Sequence, residues 1–206
     1  MKAWFIHGWG EDSSLWEALV ERLSGIEPRF ADRGYFGGQG ESAPEEPSVW
    51  IAHSFGTVLA LDSMSENCRG LVAINGFDRF CGEEGVPRRV LDRMIARFEV
   101  DPEQVVSDFR AKCGYAAPME TIESEFLARD LAALRDMDCR DAAAELKVPV
   151  LSLQGAADPI LPPEMREATL PNAQRVTHPT AGHLLPIEEP DWCAEKIHHF
   201  LAQVAV

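Results

Sequence analysis

The chain lacks any paired pattern of cysteines. Its five (Cys68, Cys81, Cys113, Cys139 and Cys193) are odd in number and scattered. None stand at C-x-x-C spacing, so neither a zinc site nor a dithiol redox motif is signalled. A long apolar run is missing too. Nothing approaches the roughly 18 consecutive apolar residues of a spanning helix, and no membrane association is expected. The apolar start Ala3-Trp4-Phe5-Ile6 stops at His7 without a cleavage pattern, so no secretory signal is expected. A cytoplasmic, thiol-reduced protein is the expectation. Basic residues are scarce: 19 Lys and Arg stand against 34 Asp and Glu, a net charge of −15. That balance argues against nucleic acid and anionic membranes as partners, since both demand positive surface.

What is present is an ordinary globular mix, 46% hydrophobic and 26% charged over 206 residues. That is enough for one domain with a sizeable core. Strands are expected at Ala3–Ile6, Pro28–Ala31, Ser48–Ala52, Leu71–Ile74, Val148–Leu153 and Gln174–His178. Between the first two lies a helix with Leu15, Trp16, Leu19, Val20 and Leu23 on one face, capped by Ser13 or Ser14. Gly34 to Pro47, with four glycines and two prolines, is loop. Phe55–Met64, Pro163–Thr169 and Trp192–Val204 read as helix. So does the whole of 77–146, broken at Gly85-Val86-Pro87, Asp101-Pro102, Gly114 and Pro118. Strand and helix alternate, which predicts a mostly parallel sheet of about six strands. Residues 77–146 are too long for a simple crossover. The predicted organisation is a single α/β domain over 1–206, with a core of 1–76 and 147–206 and a helical lid inserted at about 77–146.

Ala52-His53-Ser54-Phe55-Gly56 joins a predicted strand to a predicted helix, the context of a nucleophile elbow. The small residues 52 and 56 let the turn clear its neighbours. A serine nucleophile needs an imidazole to take its proton and a carboxylate to fix that imidazole's tautomer. Asp158 follows the Val148–Leu153 strand, and His183 follows Gln174–His178, in the chain order Ser, acid, His. Asp62, Asp78 and Glu188 are the competing acids. His7 and His53 read as turn-orienting hydrogen-bonders, His198 and His199 as surface or capping residues. A tetrahedral intermediate also needs two N–H donors. Phe55, after the nucleophile, and Trp9, in the His7-Gly8-Trp9-Gly10 turn after the first strand, are the candidates.

With these pieces in place the chain resembles a small serine α/β-hydrolase along nearly its whole length. More narrowly, it is similar to the pimeloyl-[acyl-carrier-protein] methyl ester esterases of biotin synthesis. The narrower likeness rests on His7-Gly8-Trp9-Gly10, Ala52-His53-Ser54-Phe55-Gly56, Leu71-Val72-Ala73-Ile74-Asn75-Gly76 with Gly85-Val86-Pro87, and a lid of matching length. Two departures accompany it: the usual first antiparallel hairpin is absent, and the helix before the elbow strand has shrunk to the Gly34–Pro47 loop. The resemblance implies Ser54 as nucleophile, Asp158 as acid, His183 as base, and Trp9 and Phe55 as oxyanion donors. It also implies a pocket-lining aromatic at Phe109, no metal or organic cofactor, and a substrate bound to acyl carrier protein. The family's lid arginines do not align one for one here.

One segment opposes the acidic whole. Pro87 to Phe98 carries four arginines and one aspartate, a charge of +3 that leaves −18 for the rest. Val90, Leu91, Met94, Ile95 and Phe98 share one helical face, and Arg89, Arg93 and Arg97 the opposite one. Together with Arg88 they are the candidate docking surface for an acidic carrier protein. A monomer is expected. The expected chemistry is carboxyl-ester hydrolysis through an acyl-enzyme. The alternatives are an acyl thioesterase or small-ester esterase on the same triad, and a non-catalytic acyl-binding protein.

Overall fold

The computed structural model describes residues 1–115 and 121–204; Pro118, expected as a helix break, lies outside them. Strands β1 (Lys2–Ile6), β2 (Glu27–Ala31), β3 (Ser48–His53), β4 (Cys68–Ile74), β5 (Val150–Gly155) and β6 (Gln174–His178) form one sheet. Its order is β2-β1-β3-β4-β5-β6, and every adjacent pair is parallel. Such a sheet is covered on both faces, so its central strands are shielded from water on both sides. β3 and β5 are accordingly buried at every position. β6, Gln-Arg-Val-Thr-His, lies at an edge and is exposed at three of five positions, as suits an edge strand.

A 3-10 turn (Ser13–Trp16) leads into α1 (Glu17–Val20). Its cap is Asp12, whose carboxylate accepts the Ser14 N–H at 2.8 Å. This corrects the expected Ser13 or Ser14 cap, a charged oxygen being the stronger acceptor for an orphan N–H. Leu15, Trp16, Leu19 and Leu23 are buried as the pattern required. α2 (Phe55–Asp62) starts directly after the elbow.

Between β4 and β5 stand α3 (Arg88–Phe98), α4 (Pro102–Cys113), α5 (Ser124–Asp136) and α6 (Arg140–Glu145). The helix expected from Phe77 is absent over 77–87. There the Val86 N–H donates to the Phe80 carbonyl at 2.9 Å, and a Cβ on Gly85 would overlap that same carbonyl. A tight turn closed this way, followed by a proline with no N–H, excludes a helical ladder. α7 (Pro163–Ala168) precedes β6. α8 (Leu185–Glu188), which the pattern did not suggest, precedes α9 (Pro190–Leu201). α9 starts before the expected Trp192 because Pro190 suits a first helical turn. No helix among the described residues is long and apolar enough to cross a membrane.

The topology fixes where a site can form. The chain leaves β1 for β2 on one side and returns as β3 on the other. The crevice outside the carboxyl ends of β1 and β3 is therefore the topological switch point, where open α/β sheets bind ligands.

Candidate active site

Ser54 follows the last residue of β3 with φ 52° and ψ −125°. A non-glycine residue at positive φ stores about 1–3 kcal/mol and persists only where its surroundings over-determine it. They do so here. The Ser54 N–H donates to the Ile74 carbonyl at 3.0 Å, and the Ser54 carbonyl accepts from the Thr57 N–H at 3.0 Å. The β1 strand crowds the elbow from the other side. A Cβ on Gly56 would overlap the Ile6 and His7 carbonyls, and one on Gly8 would sit 2.9 Å from the Ser54 Cβ. Glycine at 56 is thus a steric requirement, as the pattern suggested.

His183 Nε2 lies 3.1 Å from Ser54 Oγ, and its Nδ1 lies 2.8 Å from Asp158 Oδ2. A carboxylate only accepts, so Nδ1 carries the proton and Nε2 turns its lone pair to the serine hydroxyl. The other Asp158 oxygen accepts the Ile160 and Leu161 N–H groups at 2.7 and 3.1 Å. Burial pushes the Asp158 carboxyl up, but electrostatic attraction to the adjacent His183 ring, the hydrogen bond from it and the two backbone donors outweigh burial and hold it below the usual range. Of the competing acids, Asp78 is buried and accepts the Leu170 N–H. Glu188 accepts the N–H groups of Gly182 and Leu184 at 2.6 and 3.0 Å, bracing the His183 loop from outside.

The Trp9 side chain is buried, its Nε1 donating to the Leu127 carbonyl at 2.8 Å. The backbone N–H groups of Trp9 and Phe55 have no hydrogen-bond partner among the described residues, so both are free to donate. His7 fixes the turn: its Nδ1–H donates to the Gly8 carbonyl at 2.8 Å while Nε2 accepts the Arg33 N–H at 2.9 Å. Burial pushes its pKa down, consistent with that neutral tautomer.

Several contributors were not legible beforehand. Asn75, at φ 44°, donates to the carbonyls of Gly182 and His183 and accepts the Gly155 N–H. Its one visible signal was a polar residue closing the apolar run Leu71–Ile74. Glu11 accepts the Gly8 N–H at 3.1 Å and meets His53 at 2.8 Å. Glu11, His53 and His183 are grouped closely enough to suggest a cation site. However, Glu11 and both nitrogens of each histidine are already engaged in hydrogen bonds. Arg110 donates to the Gly10 carbonyl at 2.7 Å and lies over the Tyr115 ring.

Phe109 on α4 packs its ring 5.0 Å from that of Trp9. It also lines a cavity of about 390 Å³ between α3 and α4, with Leu91, Met94 and Ile160 beside it and Arg93 and Lys112 among the wall residues. The amphipathic reading of α3 needs one correction. Leu91 and Phe98 are buried, but Val90 is 45% exposed, because it borders this cavity rather than a neighbouring helix. Arg88, Arg89, Arg93 and Arg97 are all exposed. Arg88 pairs with Asp136 on α5, and Arg97 with Asp108 on α4 at 2.8 Å. The helix is therefore less basic in its surroundings than its own residues indicate.

A model of the alpha/beta hydrolase family matches residues 29–196. A pimeloyl-[acyl-carrier protein] methyl ester esterase of Pectobacterium atrosepticum is 25% identical, covering 95% of this chain and 92% of that protein. One of Aliivibrio salmonicida is 23% identical, covering 95% and 90%. An esterase structure from Exiguobacterium antarcticum superposes with a TM-score of 0.83 at 18% identity, covering 98% of this chain and 92% of that one. At that identity the likeness speaks for the fold.

Proposed function

The chain belongs to the alpha/beta hydrolase family, and from that premise we propose that it is a serine ester hydrolase with Ser54 as nucleophile, His183 as base and Asp158 as the orienting acid. The observation that carries the reading is the unbroken line Asp158–His183–Ser54, at 2.8 and 3.1 Å, on a strained elbow. Ser54 Oγ attacks the ester carbonyl carbon as His183 Nε2 takes the hydroxyl proton. The carbonyl oxygen, now an anion, receives the N–H groups of Trp9 and Phe55. Collapse breaks the bond to the alcohol oxygen, which leaves with the proton from His183. The same imidazole then takes a proton from water, whose oxygen attacks the acyl carbon; the bond to Ser54 Oγ breaks and His183 returns the proton to that oxygen, restoring the free enzyme. Each step uses side chains or backbone of this chain.

For the substrate, we propose an ester at the far end of an acyl chain carried by acyl carrier protein, as in a pimeloyl methyl ester. Support comes from the names of the relatives and from the apolar cavity beside Phe109 with cationic wall residues. Its volume falls within the roughly 300–1,000 Å³ of small-molecule sites. Covalent labelling by a fluorophosphonate probe tests the chemistry: wild type is expected to label and Ser54→Ala is not. Complementation of a strain lacking its biotin-pathway methyl ester esterase tests the substrate. Growth without biotin that depends on Ser54 is the expected result. Labelling without complementation would favour a small-ester esterase.

A further inference from the structure

His53, the residue before the nucleophile, is fully buried beside an equally buried acid, Glu11. Its Nε2 lies 2.8 Å from the backbone carbonyl of His183. A carbonyl only accepts, so Nε2 carries a proton. Its Nδ1 lies 2.8 Å from Glu11 Oε2, and that same oxygen also takes the Gly8 N–H at 3.1 Å. Burial drives both groups toward neutrality, yet each is shifted the other way by its partner: Glu11 is held low and His53 raised. The further titratable groups acting on the pair are His183, with its ring 4.9 Å from that of His53, Asp158 behind it, and His7 on the Glu11 side. A carboxylate facing an imidazolium satisfies every donor and acceptor here and agrees with the direction in which each group is shifted.

The route of these bonds matters more than their number. Gly8 belongs to the turn that presents Trp9, His53 adjoins Ser54, and the His183 carbonyl belongs to the loop of the base. We infer that Glu11 and His53 form a buried carboxylate–imidazolium brace that holds the oxyanion turn, the elbow and the base loop in mutual register, both acting as positioning residues for the reaction. The brace rests on the serine-hydrolase reading above. Asn75 shares the His183 carbonyl, so the base loop keeps one tether when the brace is cut. The oxyanion turn loses its carboxylate tether at Gly8.

The test is kinetic and spectroscopic. Gln in place of His53 keeps a donor near Nε2 and loses the Glu11 end; Asn keeps the Glu11 end and loses the His183 carbonyl. With a small free ester, Glu11→Gln and each His53 variant should lower kcat about 10–100-fold, the scale of a misplacement on the order of 1 Å, with KM within about twofold. Glu11→Gln combined with His53→Gln should lose no more than the worse single change, because a brace cut once is cut. Multiplying losses, an unchanged kcat in any of the three single variants, or a change confined to KM would overturn the inference. Nitrogen-15 NMR of the imidazoles reads the brace without activity. A histidine signal absent in His53→Gln should stay doubly protonated in wild type above the pH at which an ordinary histidine, about 6.5, loses its proton. Titration of that signal near the ordinary value would also overturn it. Failure of wild type to label with a fluorophosphonate would instead strike the hydrolase reading, leaving the NMR result to decide on the brace.

Discussion

The loops at the carboxyl ends of the sheet and the helices between β4 and β5 are held by different means. The loops bury Ser54, Asp158, His183, His53, Glu11 and Asn75, and their polar groups are engaged by one another. Asn75, Glu188, His53 and Glu11 tie four segments around Ser54 and His183. The helices are half exposed and attach through apolar contacts and ion pairs at their margins. One region fixes atoms to within a hydrogen bond. The other offers an apolar cavity whose lining includes none of Ser54, His183 and Asp158. Under the proposed function, the contrast assigns the reaction type to the loops and the substrate choice to the helices.

The sharpest way to break that division is to remove chemistry from the loops alone. Ser54→Ala is expected to lower kcat about 10⁶-fold in a steady-state ester assay, with no labelling and an unchanged Tm. Asp158→Asn should follow at about 10⁴-fold. An amide at 158 donates toward His183 Nδ1, which forces the proton to Nε2 and removes the lone pair facing Ser54. A loss below tenfold for either would mean that the loops are not where the reaction is carried out.

A stability measurement probes the other region. Asp130 on α5 is nearly fully buried and takes Arg33, Arg129 and the Tyr35 hydroxyl, so it fastens the helices to the segment after β2. Burial raises its pKa, but Arg129, Tyr35 and Arg33 outweigh burial and hold it low. Asp130→Asn should cost about 2 kcal/mol at pH 7, or about 5 °C in Tm for a chain of this size. Both arginines retain solvent contact, which keeps the figure below that of a fully buried pair. A depressed folded-state pKa contributes stability above the unfolded value, about 3.9, and loses it as pH falls through the folded one. The Tm gap between the two proteins should therefore close below about pH 4; a gap independent of pH would show that the carboxylate charge is not what fastens α5.

The same division governs how much the sequence disclosed. β3 and its elbow were legible because a short apolar run, small flanking residues and a serine form a local pattern. Asp158 and His183 were legible because strand ends are local as well. Glu11, Asn75 and Arg110 were not, since each has a partner far along the chain that only the fold brings near: the His53 side chain for Glu11, backbone groups for Asn75 and Arg110. The absent helix over 77–87 has a related cause. A turn closed by Val86 on Phe80 is set by glycine geometry, which a hydrophobic repeat does not register. The arginines of α3 were legible as a stripe, but Asp108 and Asp136 come from other helices, and no periodicity within α3 could have announced them.

Those pairings turn the arginine stripe into a graded test of the helical region, with the smallest effects expected. Arg88 and Arg97 are already engaged by Asp136 and Asp108. Arg89 and Arg93 have no ion-pair partner among the described residues, and Arg93 also lines the cavity. If an acidic carrier docks here, its carboxylates meet Arg89 and Arg93 without displacing an internal partner. Each exposed charge contributes at most about 1 kcal/mol, roughly fivefold in affinity. Arg89→Ala with Arg93→Ala should therefore raise KM for a carrier-bound ester about tenfold, and less so as salt shortens the screening length from about 10 Å at 0.1 M. Arg88→Ala with Arg97→Ala should raise it no more than about twofold, because the charge lost was already offset. Equal effects from the two pairs would mean that docking responds to summed helix charge rather than to individual free guanidinium groups, and no effect from either would move the carrier surface off α3.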